Sequence, residues 1–382
     1  MPAETVGDPA GPEQPLPVWP DGFARAAEDC RAVLVLSALH GVTPRKLLAL
    51  AAEHGTASAV LARIREGRAG SANDREFARV LDPETIAATA AGCGARVVPW
   101  GSTEYPSQLR HIHDPPAVLY VIGRPPPESS SAVAIVGARA CTELGREIAS
   151  EIGRMLALAG ATVVSGAARG VDAAAHEGAL GVRDGRTVAV MGCGVDVIYP
   201  PGSRRLIHRI RGSGTVVSEH APGTQPFQRN FPARNRIVAG LCAATVVVEG
   251  AKGSGSMITA EHAMEFGREV FAVPGPVTSA LAGVPLQLIR DGATMIRGPE
   301  DLLEDLGLRT EAGRLAERSE LSDDERRVLD RLAGPTLPDR VAGALGAGVP
   351  EVVAVLMRLE LRGLVRNVGG RFEPTLRGAA SG

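Results

Sequence analysis

The segment from about Val97 to Leu306 constrains the fold most. Within it, short runs of small and β-branched apolar residues alternate with helical stretches of about ten residues. The runs are Ala132–Val136, Thr162–Ser165, Thr187–Met191, Thr215–Ser218, Ala244–Val248 and Glu269–Val273. They are continuously apolar rather than alternating, the pattern of strands buried on both faces. Repeated strand–helix alternation of this kind predicts an α/β fold, a parallel, doubly wound sheet with helices on both sides. Open sheets of this class bind ligands in the loops at the carboxyl ends of their strands.

The flanks read differently. Residues 1–20 hold six prolines and little apolar content, the composition of a disordered tail. Residues 21–92 read as a small helical domain, with Leu34, Leu36, Leu39, Leu47, Leu48 and Leu50 in helix-like clusters broken at His40-Gly41-Val42-Thr43-Pro44. Thr43 can cap the next helix, with Pro44 at its first position. Gly41-Val42-Thr43-Pro44-Arg45-Lys46 resembles half of a helix–hairpin–helix, with Thr43 where the second glycine normally stands. A structural, sterile alpha motif-like fold fits this region equally well. Residues 307–320 are polar and read as a linker. Residues 321–376 predict helices over 323–332, 338–345 and 350–362. A strand pair follows, Leu364–Val368 and Arg371–Pro374, turning at Gly369-Gly370: a winged helix. Residues 320–376 carry nine acidic and eight basic residues, a net −1, which is weak for an independent DNA binder.

Composition removes several classes. With 45% hydrophobic and 22% charged residues, the chain is neither collagen-like nor fully disordered. Its five cysteines form no metal-ligand spacing, and an odd number argues against a disulfide framework, so a reducing cytoplasm is expected. Residues 1–20 lack the basic start and apolar core of a signal peptide. The uncharged stretch Val270–Ile289 contains Pro274, Pro276 and Pro285, which argues against a membrane span.

The loops after the apolar runs are rich in glycine and hydrogen-bond donors. They are Gly137-Ala138-Arg139 with Thr142, Ser165-Gly166-Ala167-Ala168-Arg169-Gly170-Val171-Asp172, Gly192-Cys193-Gly194, and Glu249-Gly250-Ala251-Lys252-Gly253-Ser254-Gly255-Ser256. Glycine lets backbone N–H groups approach a ligand, and helix starts add uncompensated donors, so the set predicts a site for several phosphates. Neither a Gly-x-Gly-x-x-Gly fingerprint nor a Walker A loop is present; Lys252 precedes its Gly-Ser run. Between Asp196 and Glu249 the sole acidic residue is Glu219, against seven arginines: Arg204, Arg205, Arg209, Arg211, Arg229, Arg234 and Arg236. Despite a net charge of −2, such a segment predicts a basic face for a polyanion, with Phe231 or Phe227 able to stack on a base. Arg234 and Arg236 lie about 200° apart on a helix, so at most one points into a groove, and the other can pair with Glu219 or Glu249. Asp172, His176, Glu219, Glu249 and Glu261 are the candidate catalytic groups, but they compose no nucleophile–base pair, carboxylate pair or metal set, which favours binding over catalysis.

These motifs, in their order, resemble the DNA-processing protein A (DprA/Smf) family. The resemblance lies in Tyr105-Pro106, Asp114-Pro115-Pro116, Val136-Gly137-Ala138-Arg139, Ser165 to Asp172, Gly194-Val195-Asp196-Val197-Ile198-Tyr199-Pro200, Phe231-Pro232-Ala233-Arg234-Asn235-Arg236-Ile237, Lys252 to Ala260 and Val273-Pro274-Gly275. It implies an extended Rossmann-like domain over 97–306 that binds single-stranded DNA, loads the RecA recombinase onto it in natural transformation, and forms a homodimer, without a cofactor. The resemblance carries over Arg139, Arg169, Phe231, Arg234, Asn235, Arg236 and Lys252, with Arg139 foremost, and the loop residues Gly137, Thr142, Ser165, Gly166, Gly253, Ser254, Gly255 and Ser256 complete the expected site. Two departures stand at the rim: His220-Ala221 after Ser218-Glu219, and the basic run Pro201-Gly202-Ser203-Arg204-Arg205. The alternative is a nucleotide hydrolase resembling phosphoribohydrolases, for which Gly253 to Ser256 with Glu261 is a loose imitation of the required loop.

Overall fold

Side-chain caps start most of the first helices in the computed structural model, which describes residues 19–39, 41–126, 131–310, 321–332, 334–362 and 364–374. The expected tail and linker lie outside these residues except for 19–20 and 307–310. The chain divides into two compact units: residues up to Val121 with Cys193–Val197 and Ser218–Pro226, and the remainder. In the first unit the helices are α1 (Ala27–Ala38), α2 (Pro44–His54), α3 (Ala57–Arg65), α4 (Ala72–Val80) and α5 (Pro83–Gly92). Thr43 caps α2, Thr56 caps α3, Ser71 and Asp74 form a capping box on α4, and Asp82 caps α5. The Gly41 N–H donates to Asp74 Oδ1 at 2.9 Å. That amide is therefore spent inside the unit, which favours the structural reading of the Gly41-Val42-Thr43 turn.

Two residues of the expected tail belong to the fold. Trp19 is 3% exposed, stacks on Phe23 at 4.4 Å between ring centroids, and donates from Nε1 to the Pro115 carbonyl at 2.9 Å. Its aromatic surface outweighs the proline-rich composition around it. An antiparallel pair, β1 (Arg96–Pro99) and β2 (Val118–Gly123), closes the unit. The pair lies outside the apolar runs read from the sequence.

The second unit is built on the apolar runs. They form β3 (Ala132–Val136), β4 (Thr162–Ser165), β5 (Arg186–Val190), β6 (Thr215–Ser218), β7 (Ala244–Val247) and β8 (Glu269–Ala272), joined by the two-residue β9 (Thr294–Met295). These strands are parallel, in the order β6-β5-β4-β3-β7-β8-β9. Nearly every residue of β3 to β8 is buried, so both faces are covered, as the unbroken apolar runs require. The connecting helices are α6 (Glu143–Leu158), α7 (Val171–Leu180), α8 (Arg204–Ser213), α9 (Asn230–Gly240), α10 (Gly255–Glu265), α11 (Gly283–Arg290) and α12 (Pro299–Asp305). The chain runs outward from β3 to β6 and then returns to place β7 beside β3. The switch point of the topology is thus the β3/β7 seam.

The carboxyl-terminal part has its own core. It comprises α13 (Asp323–Leu329), α14 (Pro338–Leu345), α15 (Val349–Leu361) and the antiparallel β10 (Val365–Val368) and β11 (Arg371–Pro374). Val328, Leu329, Leu356, Leu359 and Phe372 fill it. Gly369 and Gly370 both take positive φ, 60° and 82°, which a two-residue hairpin of matching twist demands.

Close packing of α6 on α7 depends on glycine. A Cβ on Gly178 would stand 2.8 Å from the Ser150 carbonyl carbon, and one on Gly153 would stand 3.1 Å from that of Ala175. Gly178→Val is expected to cost about 1–3 kcal/mol through overpacking. Gly212→Ala, where an added Cβ meets nothing within 4 Å, is expected to leave stability unchanged or raise it. Thermal unfolding midpoints of the two variants check this contrast.

Candidate nucleic-acid interface

At the β3/β7 seam the loops bound a crevice of about 340 Å³. Gly137, Ala138, Arg139 and Ala140 contribute from the loop after β3, and Gly166, Ala168 and Asp172 from β4 and α7. Arg234, Asn235 and Val238 contribute from α9, and Ala251, Ser254, Gly255, Ser256 and Thr259 from the loop and helix after β7. Of the residues expected from sequence, Gly137, Arg139, Gly166, Arg234, Asn235, Ser254, Gly255 and Ser256 therefore share one wall-to-wall space. Neither α7 nor α10 has a side chain capping its first turn, so both present backbone donors at this end of the sheet.

The floor is held by Arg234. Its side chain is 5% exposed, and its guanidinium donates to the Gly166 carbonyl at 2.8 Å, to the Val190 carbonyl, and to Asn235 Oδ1 at 3.3 Å. Asn235 in turn donates to the Gly255 carbonyl at 3.1 Å. One arginine and one asparagine thus tie the ends of β4 and β5 to α9 and the start of α10. Ala167 adopts a φ of 53°, uncommon for a residue with a Cβ. The N–H groups on either side of it, from Gly166 and Ala168, donate to Asp172 Oδ2 at 3.2 and 3.3 Å. Burial pushes the Asp172 carboxyl up, against the opposing pull of the Arg234 charge and these donors. His176, one turn on, is fully buried with Nδ1 2.6 Å from Thr187 Oγ1; burial and the Arg234 charge push it down to about 3. It stays neutral at physiological pH.

Arg139 stands at the rim. It is exposed, and its guanidinium lies 5.8 Å from the Phe231 ring centroid, within cation–π range. Phe231 is half-buried against Tyr199, 5.1 Å between centroids. Phe227, 41% exposed, has the Arg229 guanidinium 5.3 Å from its own ring centroid. Lys252 and Gly253 are exposed in the loop after β7 but do not line the crevice, and Arg169 lines a neighbouring notch.

Three expected contacts are turned elsewhere. Ser165 is fully buried and donates to the Ile135 carbonyl at 2.6 Å. Arg236 is 2% exposed and donates to the Ala233 carbonyl at 2.8 Å; Arg234 reaches the crevice, as their angular separation requires. Thr142 caps α6, and both its N–H and its hydroxyl donate to Glu249, at 2.8 and 2.6 Å. Of the two acidic partners open to the second arginine, Glu219 and Glu249, Glu249 is engaged with Thr142. The lining by Ala140 and Val238 escaped sequence reasoning, because alanine and valine carry no signal of chemistry, and so did the packing of Tyr199 on Phe231. Among the described residues, no group of three His, Cys, Asp or Glu can hold a metal ion, and Glu261 does not line the crevice. No single described helix is long and apolar enough to cross a membrane.

Buried and exposed arginines are expected to part company on substitution. Arg234→Ala removes the donor of the buried Val190 carbonyl and of the part-buried Gly166 carbonyl, and is expected to lower stability by about 3 kcal/mol. Arg139→Ala removes an exposed side chain and is expected to stay within about 0.5 kcal/mol of the parent. Thermal or urea denaturation of the two variants decides it.

Comparison with known proteins follows the same seam. Residues 96–307 match the family model for DNA recombination-mediator protein A, and residues 313–371 match that for the DprA winged helix domain. Protein Smf of Escherichia coli is 39% identical over 287 residues, covering 72% of this chain and 76% of that protein. The crystal structure of DprA from Streptococcus pneumoniae superposes with a TM-score of 0.61 at 32% identity, covering 73% of this chain and 98% of that one. DprA from Helicobacter pylori, solved to describe its single-stranded DNA binding mode, superposes with a TM-score of 0.51 at 28% identity, covering 56% and 97%. With its mostly parallel sheet, its switch-point crevice and its winged helix, the chain belongs to the DNA recombination-mediator protein A family, the DprA/Smf proteins.

Proposed function

We propose that this protein binds single-stranded DNA in the switch-point crevice and acts as a recombination mediator, loading the RecA recombinase on the bound strand in the cytoplasm. The observation that carries the reading is the division of labour at the seam. Arg234 and Asn235 are consumed in building the crevice, whereas Arg139 is exposed at its rim beside the Phe231 ring. Uncapped helix starts and glycine loops supply donors to phosphate, and a half-buried aromatic offers a face to a base. That combination grips a strand with little sequence preference. The similarity to the Helicobacter pylori protein, described by its single-stranded DNA binding mode, supports the same ligand. The carboxylates nearest the crevice serve structure: Asp172 holds two backbone donors and Glu249 holds Thr142. The reading is accordingly of a binding protein, and a homodimer through the sheet domain is part of it.

The deciding measurement is fluorescence anisotropy of labelled oligo-dT of about 30 nucleotides across a salt series, with duplex as competitor. Tight binding that weakens steeply with salt and resists duplex is the expected result. Arg139→Ala is expected to lower affinity at least tenfold, or about 1.4 kcal/mol; an unchanged dissociation constant would overturn the placement of the strand. Removing residues 307–382 is expected to leave most single-strand affinity intact, because the winged helix adds no net positive charge. Complete loss in the same assay would move the DNA site to that domain. RecA loading is then read as faster recombinase filament assembly on strand bound by this protein.

A further inference from the structure

A second cavity of about 340 Å³ adjoins the crevice at Arg139, which lines both. Arg146, Arg169 and Glu177 line it as well, and Ser203 and Leu206 close it on the side of α8. Arg146 lies 3.3 Å from Glu143, whereas Arg139 and Arg169 form no ion pair with any described residue. The lining contains no aromatic ring, so the notch suits a charged backbone rather than a base.

The notch leads onto a basic ridge. Helix α8 buries Leu206, Ile207 and Ile210 and exposes Arg204, Arg205, His208 and Arg209. No acidic residue occurs between Asp196 and Glu219, and Asp196 is engaged with the Gly223 N–H at 2.8 Å. Arg205 and Arg209 stand one turn apart on the same side of the helix, and neither forms an ion pair with a described residue. Leu206, between them in sequence, touches the notch, which makes ridge and notch continuous. Such a run of uncompensated guanidinium groups matches the repeated phosphates of a nucleic-acid backbone.

We propose that the notch and the exposed face of α8 form a second phosphate-binding subsite for the same strand. The strand leaves the crevice past Arg139, crosses Arg169, and ends on Arg205 and Arg209. The subsite presupposes the single-strand reading of the crevice. It extends the footprint to strands longer than the crevice can hold, without adding base preference.

The test compares dT5, short enough for the crevice alone, with dT20, using the full-length protein. The variants are Arg205→Ala/Arg209→Ala and, separately, Arg169→Ala, each checked for parental circular dichroism and melting. The double variant is expected to bind dT20 about tenfold more weakly. The slope of its log affinity against log salt should flatten by about 1.4, two phosphates at about 0.7 each, with dT5 affinity at the parental value. Arg169→Ala is expected to flatten the slope by about half as much, and Arg205→Lys/Arg209→Lys to restore dT20 binding. Parental dT20 affinity and slope in both alanine variants overturn the subsite while leaving the crevice intact. Equal losses for dT5 and dT20 do the same. A parent that binds neither oligonucleotide overturns the crevice reading itself.

Discussion

The guanidinium of Arg234 holds together the surface on which everything else is displayed. Parallel strands end with their last carbonyls pointing at the loops, and here Arg234 meets two carbonyls at strand ends, the buried one of Val190 and the part-buried one of Gly166 just after β4. A single planar donor group satisfies both and passes a further bond to Asn235. Asp172 attracts the guanidinium charge, although burial pushes its own carboxyl up, and it accepts from two backbone N–H groups around the left-handed Ala167. An arginine spent in this way is structural, yet its charge still contributes to the field in the crevice above it. The cost of burying an ion is offset in part by its bonds to Gly166, Val190 and Asn235.

From that floor the site's electrostatics follow. The protein as a whole is nearly neutral, so its attraction for a polyanion must be local. The acidic residues near the seam are engaged in hydrogen bonds: Glu249 accepts from Thr142, and Asp172 accepts from its own loop. Arg139 at the rim is exposed and forms no ion pair with a described residue. A low-dielectric crevice lined by alanine and valine focuses the field of Arg139 more strongly than a flat surface would.

The terminal parts of the chain follow different logic. In the first unit, the Gly41 amide that would cradle a phosphate in a helix–hairpin–helix is held by Asp74, and Trp19 anchors the chain start against Phe23. In the winged helix, α15 exposes Val349, Met357 and Leu361, and its Arg358 stands 3.6 Å from Glu325. A helix with that face offers few donors to base edges or phosphates, in keeping with the balanced charge of the module.

The alternation of buried runs and helices, the winged helix with its Gly369-Gly370 turn, and the gathering of glycine loops at one sheet edge were all legible in the chain. Each is a local pattern with one structural solution, since a continuous apolar run needs cover on both faces and a two-glycine turn permits positive φ. The antiparallel β1/β2 pair was not read, although β2 is a run of five buried apolar residues; its partner β1, four residues with only Val98 buried, carries little pattern of its own. Nor could local pattern sort the arginines and serines of the motifs. Arg234 and Arg236 differ by two positions, yet one supports the crevice and the other is turned into the protein; Ser165 faces the core, whereas Ser254 lines the site. Those fates depend on helix rotation and on partners such as Val190 and Ile135, tens of residues away in sequence. The buried strands, their helices and the gathering of the glycine loops belong to the sequence; which cations stay exposed beside those loops was decided only by long-range packing, which sets where burial and hydrogen bonding fall.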